Sequence, residues 1–442
     1  MNKTVLPGRI NGGAQAVASK SHLHRLLICA ALNERQTIIR HGALCEDIFA
    51  TCHCLGELGA TVLCLPYGDT PVSSRIRQTP EIELITSRAP GEIVVRGIDN
   101  SIHEIAALFC GESGSTYRFL LPVASALGIN ANFHLEGRLP NRPVGELIAQ
   151  MEAHGATVSG LGSQTVSIRG EMTGGNFTLP GNVSSQYISA LLFAMPLTGE
   201  KCTLTVTGAL ESAAYVDLTL SVLQKFRVEI KRKGNLFICE AGQEYISPGI
   251  VQAEGDWSNA AFMLCAAAAG MGTARISGLQ SDSLQGDKAV LDIIRLFGAK
   301  AEMQGDTACV QGAPLTACRV DIGPIPDLAP AISLMGAMAQ GETVISNAAR
   351  LRLKESDRIE STIGMLRSLG ADAWCENDEI HIRGTGGKRL PGGEVDPLAD
   401  HRWNLHVIKK LIVVKVLSSA ERKTCRKIDM GMIGKQGRIW IH

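Results

Sequence analysis

The chain has no net charge to offer: 43 Lys+Arg stand against 43 Asp+Glu. Nothing in that balance points to nucleic acid or an anionic membrane surface. It has no apolar signal core, for it begins "MNKTVLPGRINGG". Its longest apolar runs, such as "AAFMLCAAAAGMG", are too short to span a bilayer. There are 13 cysteines but no CxxC pair, and the close pair Cys52 and Cys54 lacks zinc-type spacing. Several, including Cys29, Cys110 and Cys265, lie inside apolar helical stretches. They read as reduced, mostly buried thiols of a cytoplasmic protein. Aromatics are only 4% of the residues, whereas Gly numbers 47. That composition suits tight strand–helix turns around helices of small residues. A length of 442 favours two or three domains.

What the chain does have is a repeat. A helix end, Gly-Ala and a strand recur at Gly59 ("LGELGATVL"), Gly155 ("MEAHGATVS"), Gly298 ("IIRLFGAKAEM") and Gly370 ("MLRSLGADAW"). In "VLQKFRVEI" Arg227 stands where the Gly belongs. From Gly155 onward the copies are about 72 residues apart, and the first step is longer by about one hairpin. Upstream of each copy a polar cluster opens a helix rich in Ala and Leu: "SKSHLHRLLICAAL", "GESGSTYRFLLPVASAL", "VSSQYISALLFAMPL", "EGDWSNAAFMLCAAAA" and "IPDLAPAISLMGAMA". These helices are apolar nearly all round, so burial is expected. An amphipathic helix follows in each, then β-rich segments. The unit reads strand–helix–strand–helix–strand–strand, used six times in an α/β fold.

The helix mouths carry the chemistry. Lys20, Arg25, Arg118, Arg142, Lys354, Arg358 and Arg402 are cations near predicted helix starts. Cations are disfavoured at a positive helix N-terminus unless an anion sits there too. Gathered in a neutral protein, they predict a locally positive cleft for phosphates and carboxylates, with Arg suited to bidentate contacts. Ser184, Ser185 and Gln186 open one helix with two hydroxyls and an amide. "GESGSTYR" can present backbone N–H groups to an anion. Asp327 lies at an apolar helix mouth, and "RLKESDR" crowds Lys354, Glu355, Asp357 and Arg358 together. A carboxyl in a cationic pocket can act as general acid or base; a surface salt-bridge face is the plainer reading.

In order and spacing these clusters, with "RLPNRPVGEL", "SAAYVDLTL", "DSLQGD" and "DHR", resemble the 5-enolpyruvylshikimate-3-phosphate (EPSP) synthase family from about residue 3 to 402. The resemblance implies a two-domain inside-out α/β fold of six βαβαββ repeats, three per globe. It places one globe at residues 16–251 and the other at 1–15 plus 252–442. It implies transfer of the enolpyruvyl group of phosphoenolpyruvate to the 5-hydroxyl of shikimate 3-phosphate, in chorismate and aromatic amino-acid biosynthesis. Lys20, Ser21, Arg25, Ser184, Ser185, Gln186, Ser212 and Tyr215 then correspond to shikimate-phosphate contacts, Lys20 also reaching phosphoenolpyruvate. Gly114, Arg142, Lys354, Arg358 and Arg402 correspond to the phosphoenolpyruvate side, with Arg118 among the cleft cations. Asp327 corresponds to the proton acceptor and Glu355 to its acid–base partner, and Lys20 joins them as a catalytic residue. No metal or organic cofactor is implied. The partners are two small molecules, with no nucleic acid and no membrane, on a monomer.

After "DHR" the sequence departs from the family. Trp403 onward loses the small-residue helix pattern and carries Lys409, Lys410 and Lys415. No Lys-Ser-aromatic-Pro segment follows. Translation out of frame, or an error in the gene model, is the expectation for this tail, and with it a catalytically impaired anion-binding member becomes an alternative. The other alternative is the sister enolpyruvyl transferase acting on UDP-N-acetylglucosamine, which lacks the "KSxxxR" and "SSQ" pattern.

Overall fold

A computed structural model describes residues 3–5, 10–67, 89–98, 105–270, 272–354, 356–395 and 414–416. The chain forms two units. A middle unit runs from Ala18 to Glu254, and a split unit joins Met1–Val17 to Gly255–His442. The chain therefore crosses two or three residues later than residues 15/16 and 251/252. Each unit has its own hydrophobic core.

Among the described residues the repeat appears as one strand order in five four-stranded sheets. In the middle unit Ala106–Gly111 pairs parallel with Ala131–Leu135, which pairs antiparallel with Thr165–Arg169, which pairs antiparallel with Thr157–Ser159. Asn176–Pro180, Cys202–Thr207, Leu236–Cys239 and Ile230–Lys233 repeat that order. In the split unit so do Arg319–Asp321, Glu342–Ser346, Glu379–Arg383 and Asp372–Glu376. A parallel pair needs a crossover, and an apolar helix supplies it each time.

The leading strands are exchanged at the two crossings. Asn11–Gln15, which precedes the helix Lys20–Ala31, pairs parallel with Thr273–Ser277 in the split unit. Ile250–Gln252, which precedes the helix Trp257–Ala269, pairs parallel with Thr37–His41 in the middle unit. The split unit thus completes its first sheet with a strand from its N-terminal segment, and the middle unit with a strand from the C-terminal end of its segment. A shorter third sheet in the split unit sets Val414–Val416 between Lys3–Val5, antiparallel, and Gly393–Val395, parallel.

The small-residue helices are buried nearly all round. Ten of the 12 residues of Lys20–Ala31 are buried, as are all but one of Gly114–Ala126 and of Ser185–Ala194. The second helices bury a single stripe, such as Leu147, Ile148 and Met151 of Gly145–Ala153. Their ends explain the repeated glycine. Gly59, Gly155, Gly298 and Gly370 take φ of 101°, 106°, 99° and 87°. At each, the following N–H reaches back five residues to a helix carbonyl, as Ala60 to Leu55 and Ala371 to Leu366. This Schellman closure needs a left-handed residue, and glycine takes it without a Cβ penalty. Arg227 makes the same closure, Val228 N–H to Leu223 O at 3.0 Å, at φ 65°.

Candidate active site

In the middle unit the helix Lys20–Ala31 opens with Ser19 as N-cap and no acid in its first turn. Lys20 Nζ instead meets Asp47 Oδ2 at 3.0 Å, from the first turn of the helix Glu46–Glu57. Arg25, one turn further in, is 3% exposed and no surface charge. Its Nε donates to Thr219 Oγ1 at 2.8 Å, Nη1 to the Ser21 carbonyl at 2.6 Å and Nη2 to the Tyr215 carbonyl at 3.0 Å. Its guanidinium also lies over the Phe119 ring. Among the described residues no carboxylate pairs with it. Burial pulls it down to about 10, so it stays charged at neutral pH. A buried cation satisfied only by neutral oxygens leaves a positive field for an anion to answer.

Ser21 and Tyr215 enter this arrangement through their carbonyls. Ser212 is buried and sits at the N-cap of Ala213–Lys225 with φ 54° and ψ 40°. A non-glycine residue there stores strain, a frequent mark of a functional position.

A second mouth lies at the helix Gly114–Ala126, capped by Ser113. A Cβ added to Gly114 would stand 2.8 Å from Arg142 Nη1 and 2.9 Å from Arg118 Nη1. Two guanidinium groups thus converge on a helix N-terminus, and a side chain at this position would have to push them aside. Arg118 Nη1 donates to Gln186 Oε1 at 2.7 Å and Nη2 to the Pro143 carbonyl at 3.0 Å. Gln186 Nε2 donates to Ser115 Oγ at 2.9 Å, which ties the mouth of Ser185–Ala194 to this one. Ser184 caps that helix, its hydroxyl accepting from Gln186 N–H, and Ser185 is buried beside it.

In the split unit Asp327 lies in the 3-10 turn Pro326–Leu328, ahead of the helix Ala329–Met338. Arg358, 1% exposed, donates from Nη1 to Asp327 Oδ1 at 2.7 Å, and Lys354 Nζ lies 3.8 Å from the same oxygen. Arg358 begins the helix Arg358–Ser368, whose N-cap Asp357 accepts from Ile359 and Glu360 N–H. Glu355 and Arg402 lie outside the described residues.

The structure thus groups the candidate residues by unit. Lys20, Ser21, Arg25, Gly114, Arg118, Arg142, Ser184, Ser185, Gln186, Ser212 and Tyr215 belong to the middle unit; Asp327, Lys354 and Arg358 belong to the split one. Sequence reading missed Asp47, Thr219 and Ser115. Asp47 had a signal, an acid upstream of the helix end at Gly59; the two hydroxyls had none. Among the described residues no cluster of His, Cys, Asp and Glu is arranged to hold a metal, and no helix is long and apolar enough to cross a membrane.

Comparisons with known proteins identify the family. The family model described as EPSP synthase (3-phosphoshikimate 1-carboxyvinyltransferase) matches residues 6–408. A 3-phosphoshikimate 1-carboxyvinyltransferase of Clostridium kluyveri is 32% identical over 403 residues, covering 90% of this chain and 88% of that one. One from Clostridium perfringens is 34% identical over 408 residues, covering 91% and 89%. The solved EPSP synthase of Acinetobacter baumannii superposes with a TM-score of 0.72 at 23% identity, over 94% of this chain and 93% of that one, a likeness of fold. The chain belongs to the EPSP synthase family.

Proposed function

We propose that this enzyme transfers the enolpyruvyl group of phosphoenolpyruvate to the 5-hydroxyl of shikimate 3-phosphate, giving 5-enolpyruvylshikimate 3-phosphate and phosphate. The observation that carries the reading is the pair of guanidinium groups, Arg118 and Arg142, closing on Gly114 at a helix mouth. Both substrates are anions, and such a mouth is built for phosphate or carboxylate oxygens. Buried Arg25 supports an anionic group beside Lys20 and Ser21. Ser184, Ser185, Gln186, Ser212 and Tyr215 would hold the shikimate phosphate and ring. Lys354, Arg358 and Arg402 would serve phosphoenolpyruvate.

The chemistry is addition followed by elimination. The 5-hydroxyl oxygen bonds to C2 of phosphoenolpyruvate while its proton leaves and another adds to the C3 methylene. The adduct then loses a methyl proton and the C2–O bond to phosphate, which restores the double bond. No electrons enter or leave, so two carboxyls suffice: Asp327 to take the hydroxyl proton and Glu355 to give one to C3. Their roles reverse in the elimination.

The UDP-N-acetylglucosamine acceptor is not favoured, because the relatives above are named for 3-phosphoshikimate. We further place the protein as a cytoplasmic monomer without nucleic-acid or membrane partners; none of the described cysteines forms a disulfide, in keeping with a reducing compartment. The test is phosphate release from phosphoenolpyruvate with each acceptor, on protein whose intact mass matches the sequence through His442. Release with shikimate 3-phosphate alone is expected; release only with the nucleotide sugar would overturn the reading.

A further inference from the structure

Three helices of the middle unit meet at one buried hydroxyl. Thr51, on Glu46–Glu57, is fully buried. Its Oγ1 lies 2.7 Å from His24 Nδ1 on Lys20–Ala31 and 2.7 Å from Thr116 Oγ1 on Gly114–Ala126. Thr116 Oγ1 is in turn 2.7 Å from the hydroxyl of Ser113, the cap of the Gly114 mouth. Both threonine hydroxyls also approach the Asp47 carbonyl, at 3.3 and 3.4 Å. None of the four side chains is more than 2% exposed.

The histidine end of this chain has a defined donor. Burial lowers His24 to about 3, against a smaller raising effect of Asp47, so the ring is neutral and carries one N–H. Its Nε2 is buried without a hydrogen-bond partner. A stranded N–H is rarer in folded proteins than a stranded lone pair, so the proton is assigned to Nδ1. His24 then donates to Thr51, and in the Thr51–Thr116 and Thr116–Ser113 pairs either hydroxyl can donate. Ser113 accepts in addition from Thr116 N–H, which fixes the first turn of the helix behind Gly114.

The ends of this chain matter more than its middle. His24 lies on the helix whose first residue is Lys20, and Thr51 lies one turn after Asp47, the partner of Lys20. Ser113 and Thr116 flank Gly114, over which Arg118 and Arg142 converge. We propose that Thr51 is a positioning residue that holds the Lys20 and Gly114 mouths in one fixed spacing, so that two anionic groups of bound ligand are met together. Thr51 touches neither ligand; it acts through the helices it joins. Only the kinetic part of its test rests on the carboxyvinyl transfer proposed above.

The experiment compares wild type with Thr51→Val, Thr51→Ser, Thr116→Val and the Thr51→Val/Thr116→Val double variant. Valine keeps the shape of threonine but deletes the hydroxyl, and serine keeps the hydroxyl. Hydrogen exchange of the ligand-free protein is followed in peptides spanning residues 19–25 and 113–118. Breaking the chain at Thr51 is expected to speed exchange at both mouths together, while Thr51→Ser stays near wild type. Thr116→Val should speed exchange at the Lys20 mouth although it lies on another helix, and this arm decides the matter where Thr51→Val does not fold. The double variant should be no worse than either single one, as expected for links of one chain. A misplacement of about 1 Å costs about a hundredfold in rate, so kcat/KM for both substrates should fall by about tenfold to a hundredfold in the valine variants and recover with serine. Unchanged exchange at both mouths, a change at one mouth alone, or no rescue by serine would overturn the proposal. A wild-type protein without transfer activity would remove the proposed function, while the exchange data would still decide the coupling.

Discussion

Lys20 Nζ lies 3.0 Å from Asp47 Oδ2, with the two side chains 24% and 31% exposed. A partly exposed pair of this kind contributes about 0–1 kcal/mol, so an arriving anion displaces the carboxylate at little cost. Lys20→Met is expected to lower kcat/KM for both substrates by at least about tenfold, the scale of a lost hydrogen bond to a charged group. Asp47→Asn removes a competing negative charge and should lower KM for both anions. That gain should shrink as salt is raised, because exposed charges are screened over about 10 Å at 0.1 M ionic strength. Steady-state kinetics at two ionic strengths check both expectations; a loss confined to shikimate 3-phosphate would remove the shared role of Lys20.

Arg227 holds the backbone position that glycine holds in the other copies, at φ 65° against 99° for Gly298. A left-handed conformation costs an L-residue about 1–2 kcal/mol. Glycine removes that strain but loses more entropy on folding, about 0.4–1 kcal/mol. Arg227→Gly should therefore stabilise the middle unit by about 0.5–1 kcal/mol. Gly155→Ala should destabilise it by more, since the new Cβ would stand 2.8 Å from the Glu171 carbonyl at φ 106°. Urea denaturation of the two variants against wild type gives both signs.

These helix ends were legible in the sequence because their chemistry is local. Left-handed closure selects glycine within a few residues, so Gly59, Gly155, Gly298 and Gly370 announce it without knowledge of the fold. The small-residue helices were legible for the same reason, an apolar pattern read within one segment. The pairing of Asn11–Gln15 with Thr273–Ser277 and of Ile250–Gln252 with Thr37–His41 was not legible in the local pattern, because strand pairing is a long-range choice that a short strand does not encode; only the family resemblance implied the crossings. At the site, cations at helix mouths pointed to an anion. What holds them did not show: Asp47 lies 27 residues from Lys20, and Thr219 lies 194 residues from Arg25. Hydroxyls such as Thr51 and Thr116 carry no charge signature, so only their convergence in space reveals them.

The "SHLHR" segment also makes stability depend on pH. His22 and His24 are buried, and burial lowers them to about 4 and about 3; Glu254 opposes the shift at His22 and Asp47 at His24. Glu254 N–H donates to His22 Nδ1 at 3.1 Å, which requires the neutral ring. Both pKa values lie below the unfolded value of about 6.5. Between that value and the folded ones the unfolded chain binds more protons, so stability rises with pH there. It should be flat above about pH 6.5 and fall with acidification by up to about 1.4 kcal/mol per pH unit for each histidine. His24→Gln should flatten the slope of denaturation free energy between pH 6.5 and 5 by about that amount. An unchanged slope would show that His24 is protonated in the native state.

Asp327 is the carboxylate on which binding and chemistry can be separated. Arg358 donates to its Oδ1 at 2.7 Å, and Lys354 lies 3.8 Å from the same atom. Two roles are compatible with that contact. As a proton acceptor, Asp327 acts in the transition state and adds little to ground-state binding. As an orienting anion, it fixes Arg358 and Lys354 for a substrate, and its loss is felt in binding. Asp327→Asn keeps the shape and one acceptor oxygen while removing the base. For the first role kcat should fall by about 10²–10⁴-fold with near-normal KM, the usual contribution of a general acid or base. For the second, KM for phosphoenolpyruvate should rise while kcat stays near wild type. Arg358→Lys serves as the control, because it keeps the charge but loses the forked geometry, and should raise KM whichever role Asp327 has. Glu355→Gln adds an independent reading: if Glu355 protonates the methylene, exchange of solvent hydrogen into phosphoenolpyruvate should slow along with turnover. A KM effect alone in Asp327→Asn, on protein with a verified C-terminus, would leave Asp327 as a positioning group and move the search for the base elsewhere.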